Sequence, residues 1–190
     1  MKLPAAAEIM AFHDYALAAP GQPARFESGL WEAIETGHWH NGILWEQEEL
    51  ARRRHAPDSE VASNKRAIDA NDRKRREAIR RIDEALLVSL KETRKRPEAK
   101  QHSETPGALI DRLSVLAIKI HHMGLQAGGA GVEPGHAEIC RAKQQELSAE
   151  RNDLAACFDR LLAEAQRGET YFKLYPRSGM HDDPKPGSAR

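Results

Sequence analysis

Apolar residues recur along this chain at three-, four- and seven-residue spacings rather than in alternation, the signature of helices with one buried face. The pattern is clearest from Ser59 to about Thr93, where Val61, Ile68, Ile79, Ile82, Leu86 and Leu90 fall on such spacings. Proline and glycine punctuate the rest. Pro20-Gly21-Gln22-Pro23 closes a first helix over about Pro4 to Ala18. A second, from about Phe26 to Arg54, is weakened at Gly37 and Gly42, each costing about 1 kcal/mol relative to Ala inside a helix. Arg94 to Glu104 is polar and basic and reads as a solvated loop. Thr105-Pro106 then offers an N-cap and a first-position proline for a fourth helix reaching about Met123.

Gly124 to Pro134, with Gly128-Gly129-Ala130-Gly131, reads as a flexible connector, and a fifth helix runs from there to about Arg167, stopped by Gly168. Tyr171 to Pro176 is apolar enough to pack as an extended strap, whereas Asp182 to Arg190 has a disordered composition. The expected architecture is all-α: a single-domain antiparallel bundle of about five helices over residues 1–176 with a C-terminal strap, then a flexible tail over 177–190.

Composition supports this reading. A domain of 190 residues should bury roughly 70% of its unfolded surface, and 5% aromatic with 31% charged residues favours amphipathic helices over β-sandwiches or barrels. Lys+Arg and Asp+Glu both number 29, so no global charge draws nucleic acid or an anionic membrane; any charged partner must be recognised locally. No window approaches the run of about 18 apolar residues that a membrane span needs, and Met1 to Met10 lacks a signal-like apolar stretch. A cytoplasmic location is expected. Cys140 and Cys157 stand 17 apart in one predicted helix, about 25 Å if it is straight, so they cannot pair and read as reduced structural residues.

Several polar residues fall where the core should be. Arg75 lies midway between Ile68 and Ile82 on one heptad line, with Asp72 on the line of Ile79 and Leu86. Arg151 is set into the stripe of Leu147, Leu154, Phe158 and Leu161. The two segments align at an offset of 76, with Arg75 over Arg151, Asp83 over Asp159 and Leu86 over Leu162. Shared helical grammar explains this, or else a pseudo-symmetric bundle that turns both arginines toward one anion-binding cavity. In the second helix His38, Asn41, Trp45 and Glu48 share a face. The fourth helix is apolar nearly all round, as befits burial on several sides. It carries Asp111 and His122 on one line and Arg112 and Lys119 on a neighbouring one. Ionised groups there must be paired, because a lone buried charge costs several kcal/mol. Removing Asp111 should therefore cost several kcal/mol if its partner stays charged.

Ser103-Glu104-Thr105-Pro106-Gly107, Ile110-Asp111-Arg112-Leu113-Ser114 and Lys119-Ile120-His121-His122-Met123 give the chain a resemblance to the bacterial family catalogued as domain of unknown function 4254. The similarity extends to His38, Asn41, Leu44, Trp45 and Glu48, and to Asn71, Arg75, Ile79 and Asp83. It continues through Arg151, Asp153, Leu154 and Asp159 to Phe172-Lys173-Leu174-Tyr175, Met180 and Asp183-Pro184, nearly the whole chain after residue 30. Gly42, Glu49 and His121 depart from the pattern, where an aromatic, Asp and Tyr are expected. The resemblance implies no established activity, only a setting among cell-envelope glycan and glycosyltransferase genes.

Other motifs are weaker. Glu35-Thr-Gly-His38 and Glu133-Pro-Gly-His136 have the ExxH spacing of di-iron bundles, but chance supplies about one such pair in a chain of this composition. Glu46-x-x-Glu49 followed by Asp69-x-x-Asp72 resembles the Mg²⁺-holding pairs of all-α nucleotide pyrophosphohydrolases, although solvated faces explain the charges as well. Phosphate-binding glycine loops and nucleophile elbows are missing.

Two main readings follow. In the first, a polar cavity binds or processes a phosphorylated or nucleotide-linked sugar through Asn41, Asn71, Arg75, Arg112, Lys119 and Arg151. Asp111, His122, Glu48 and His38 are then the candidates for acid–base or metal-binding roles. In the second, the chain is a non-catalytic helical adaptor for a glycan-assembly enzyme, its polar stripes fixing register. The sequence assigns no cofactor, metal or oligomeric state. The two readings separate on whether the polar residues line one pocket or scatter among separate salt bridges.

Overall fold

The computed structural model describes residues 2–21, 24–129 and 131–175. The protein is all-α apart from one minute strand pair: α1 (Ala6–Ala18), α2 (Leu30–Ala51), α3 (Asp58–Leu90), β1 (Lys100–Gln101), α4 (Pro106–Gly128), α5 (Pro134–Gln166) and β2 (Thr170–Tyr171). α2 packs most extensively on α3 and α4 on α5, while α4 also touches α1, α2 and α3. That central position is why α4 is apolar nearly all round. Leu109, Ile110, Leu113 and Leu116 on α4 join Ile9 and Phe12 of α1, Ile34 of α2, Leu86 of α3 and Phe158 of α5 in one core.

Helix ends are held by side chains reaching across the fold. The Thr105 hydroxyl accepts from the Ala108 N–H at the start of α4 (3.3 Å), with Pro106 at the first position. Asp83 on α3 accepts from the Gly107 N–H at 2.6 Å, and Asp159 on α5 accepts from the Ala6 N–H of α1 at 2.8 Å. Of the residues matched by the 76-residue offset, the two aspartates thus do matched work, each carboxylate neutralising the positive end of another helix.

Three local expectations are corrected. Arg94 to Glu104 is more than a solvated loop, since Lys100–Gln101 pairs in parallel with Thr170–Tyr171. Two residues carry no periodicity, and their partner lies far along the chain. The second correction concerns α4, which continues past Met123 through Gly128. At Gly124 the missing side chain leaves room for Gln144, whose amide donates to the Ile120 carbonyl at 3.3 Å. The glycine serves contact with α5 rather than a break. Third, Cys140 is buried as expected but Cys157 is exposed; both are free.

Gly168 does end the fifth helical stretch, at φ +70, where a side chain would run into the Arg94 carbonyl. Beyond β2, Phe172 is buried in the core and Tyr175 is exposed. Pro176 and the expected tail over 177–190, including Met180 and Asp183-Pro184, lie outside the described residues. No described helix is long and apolar enough to cross a membrane.

Candidate functional site

Helices α2, α3 and α4 enclose a cleft of about 410 Å³. The α2 face contributes Asn41, Trp45, Glu48 and Glu49, with Arg52 just past its end; α3 contributes Lys65, Ile68, Asp69, Asp72 and Arg75; α4 adds Val115, Ile118 and Lys119. The α3 set recurs at three- and four-residue steps, so one helical face supplies it. Four carboxylates face four cations. Asp72 bridges Arg75 (2.8 Å) and Arg76 (3.1 Å), Glu49 meets Arg52 (3.0 Å), Glu48 lies 3.6 Å from Arg52, and Asp69 pairs with Lys65. Lys119 has no carboxylate partner among the described residues.

A chain of hydrogen bonds leads inward from this cleft. The Asn41 amide donates to Asp111 Oδ1 (2.9 Å) and to Ser114 Oγ (3.0 Å), and Ser114 Oγ lies 2.7 Å from His38 Nδ1. Ser114 Oγ accepts from Asn41 with one lone pair, which leaves it able either to donate to His38 Nδ1 or to accept from it, according to the His38 tautomer. Behind His38 the His13 ring stacks at 4.6 Å between centroids. Arg151, also buried, holds Asp14 at 2.7 Å and donates to the Met10 carbonyl. Burial, then the Arg151 charge, push His38 down to about 4, with Asp14 opposing. Burial, His38 and Arg151 push His13 well below its ordinary value. Both imidazoles are neutral. Asp111 is shifted the other way: burial raises it, and Asp72 adds to this against the Asn41 bond and the Arg75 charge.

Neither His13 nitrogen has a partner among the described residues, although the residue is fully buried. Replacing it with Leu is expected to leave the unfolding free energy within about 1 kcal/mol of wild type or to raise it, since no bond is lost and a desolvated polar ring is removed. A loss of several kcal/mol in urea denaturation would show that His13 makes a bond of its own.

Of the residues singled out from sequence, Asn41, Glu48, Arg75 and Lys119 line the cleft. Asp111 and His38 stand behind it through Asn41 and Ser114. His122 stacks on Trp45 at 4.8 Å, its basicity lowered by burial and by His121 against Glu49 and Glu46. Asp111 and His122 therefore both meet α2, one at Asn41 and the other at Trp45.

Asn71, Arg112 and Arg151 do not join them. Asn71 faces His40 (2.8 Å) and the Ala67 carbonyl (2.8 Å), and Arg112 pairs with Glu104 at 3.1 Å near the surface. Arg75 and Arg151 share no cavity: α3 turns Arg75 to the cleft, whereas α5 turns Arg151 to α1. Each is matched to a carboxylate, Asp72 and Asp14, while Asp83 and Asp159 are committed to helix termini. The hydrogen-bond partner of Asp111 is the neutral Asn41, so its removal strands no charge at that contact and should cost about 1–3 kcal/mol rather than more.

Glu35 accepts from the backbone of Arg25 and Phe26, and no group of three His, Cys, Asp or Glu side chains among the described residues is placed to hold a metal ion. Glu49, Asp69 and Asp72 reach the cleft but Glu46 does not. Sequence reasoning passed over Arg52, Lys65, His13 and Asp14. Lys65 was signalled by its four- and seven-residue spacing to Asp69 and Asp72; His13 and Asp14 carried no signal, because their site depends on where α1 docks.

Fold and site define an all-α protein with a charge-balanced cleft between three helices and a buried polar chain beneath it. The chain belongs to the family described as Protein of unknown function (DUF4254), whose pattern it matches over residues 31–174. That stretch contains the whole cleft and the chain from Asn41 to His38, and leaves α1 with His13 and Asp14 outside. No curated protein and no solved structure matches the chain.

Proposed function

We propose that this cytoplasmic protein binds or processes a phosphorylated or nucleotide-linked sugar in the cleft between α2, α3 and α4, in a cell-envelope glycan setting. The observation that carries the reading is the composition of the cleft wall: an aromatic face, a lysine with no carboxylate partner among the described residues and several carboxylates in one cavity of about 410 Å³. Trp45, braced by His122, offers a flat surface for a sugar or base. The carboxylates accept from hydroxyls. Lys119 and Arg75 suit a phosphate, and because Asp72 also pairs with Arg76, Arg75 can turn to a ligand without leaving that carboxylate bare. Asp111, raised by burial, stands behind the cleft wall and fixes the Asn41 amide by accepting from it, so that Asn41 presents its own polar group to a ligand. The short links between α2 and α3 and between α4 and α5 favour an antiparallel bundle, with the segment after β2 laid over it as a strap.

A second reading, a Mg²⁺-dependent nucleotide pyrophosphohydrolase, draws on the meeting of Glu49, Asp69 and Asp72 in the same cleft. Calorimetric titration of sugar monophosphates and sugar nucleotides, with and without Mg²⁺, tests both. Lys119→Ala and Trp45→Ala should each weaken binding by about tenfold with the fold retained. Mg²⁺-dependent pyrophosphate release would favour the second reading. Failure of folded wild type to bind any of these ligands would overturn both and leave the adaptor.

A further inference from the structure

A second groove, of about 380 Å³, runs along α2 and α3, lined by Thr36 and His40 of α2 and by Arg73, Lys74, Glu77, Ala78 and Arg81 of α3. The charges here are unevenly satisfied. Arg75, Arg76, Arg80 and Arg81 on the same helix all have carboxylate partners. Glu77 is taken by Arg80, and Glu32 of α2 by Arg81 and by the Thr36 hydroxyl. Arg73 and Lys74, both exposed at the groove, have no carboxylate partner among the described residues. What remains after the pairs cancel is two cations.

On the α2 side of the groove the buried His40 is held in a set orientation. Asn71 donates its amide to the Ala67 carbonyl (2.8 Å), which turns its oxygen to His40 Nδ1 (2.8 Å). That nitrogen must carry the proton, so Nε2 is the ring atom left for the groove, where an imidazolium could donate to an oxyanion. The exposed Trp39 ring sits edge-on to this imidazole at 4.8 Å.

We propose that this groove is a second ligand site, separate from the main cleft, that takes a phosphate-type dianion on Arg73, Lys74 and His40 Nε2. Two cations and, once His40 is protonated, one oriented Nε2–H match the oxygens of a tetrahedral anion. Burial and the Lys74 charge hold His40 below its ordinary basicity against the Asn71 bond, and a bound dianion opposes the Lys74 effect. Binding is therefore accompanied by proton uptake at Nε2, while Glu77 and Glu32 stay committed to their arginines.

The test is NMR of the His40 ring nitrogens and the Trp39 indole during titration with inorganic phosphate and with a sugar monophosphate, whichever binds more tightly naming the form taken. Wild type should show a saturable shift at both rings and a raised His40 pKa. Arg73→Ala and Lys74→Ala, changes at exposed positions, should each weaken the response by about tenfold, and Lys119→Ala should leave it intact. An absent shift, or one that survives in both Arg73→Ala and Lys74→Ala, overturns the proposal; so does one abolished by Lys119→Ala, which would assign the anion to the main cleft.

Discussion

Replacing Gly107 with Ala is expected to destabilise the protein by about 2–3 kcal/mol, a large effect for a single methyl group. A Cβ at this position would lie 2.7 Å from the Ile79 carbonyl oxygen and 2.8 Å from Asp83 Oδ1. The first obstacle is backbone in the middle of α3 and cannot swing aside. The second is the carboxylate that accepts from the Gly107 N–H, so relief of the clash stretches that bond as well. α4 would be displaced from α3 at the end that supports Asp111 and Ser114. Ligand affinity in the main cleft should therefore fall along with the urea midpoint. Gly135→Ala is the control: nothing lies within 4 Å of a Cβ there, and alanine in the first turn of α5 should be neutral or mildly stabilising. Equal midpoints for wild type and Gly107→Ala would mean that α4 can move off α3 by the width of a methyl group at no cost.

Stability is also expected to fall by at least about 3 kcal/mol as pH drops from 6.5 toward 4, His38 alone supplying that much and most of it above the carboxylate range. His38 holds a value of about 4 in the folded protein against 6.5 ordinarily. Over that window the unfolded chain binds a proton that the native protein refuses, so the slope of stability with pH is positive and each unit is worth about 1.4 kcal/mol. His13 acts in the same direction, and the half-buried His122 adds a smaller share. Asp111 acts oppositely: its folded value lies above 3.8, so its contribution is fully present below that and is lost as pH rises through the folded value. The histidine effect is thus cleanest between about pH 6.5 and 5. Urea denaturation across this range, compared with His38→Gln, provides the measurement. The variant should flatten the curve while keeping a hydrogen-bonding group near Ser114; identical slopes would show that His38 is not the group responsible.

The hydrophobic periodicity already contained the five helices, the central place of α4 and the shared face of His38, Asn41 and Trp45, because helix formation and amphipathicity are set by neighbours within one or two turns. Of the pairs aligned at an offset of 76, Asp83 and Asp159 both serve helix termini, whereas Arg75 and Arg151 do not meet at one cavity. A periodic stripe says that a residue faces inward, but not which other helix it will face. That choice depends on packing between segments far apart in the chain, and it sent Arg75 to the cleft, Arg151 to Asp14 and Asn71 to His40. Likewise a two-residue strand and a buried histidine on α1 acquire their roles only from long-range partners. The sequence by itself determined which segments coil and which faces they bury. Tertiary structure alone decided which polar groups share a cavity, because ion pairs and hydrogen bonds form across distances of a few ångströms between elements whose relative placement no local pattern encodes.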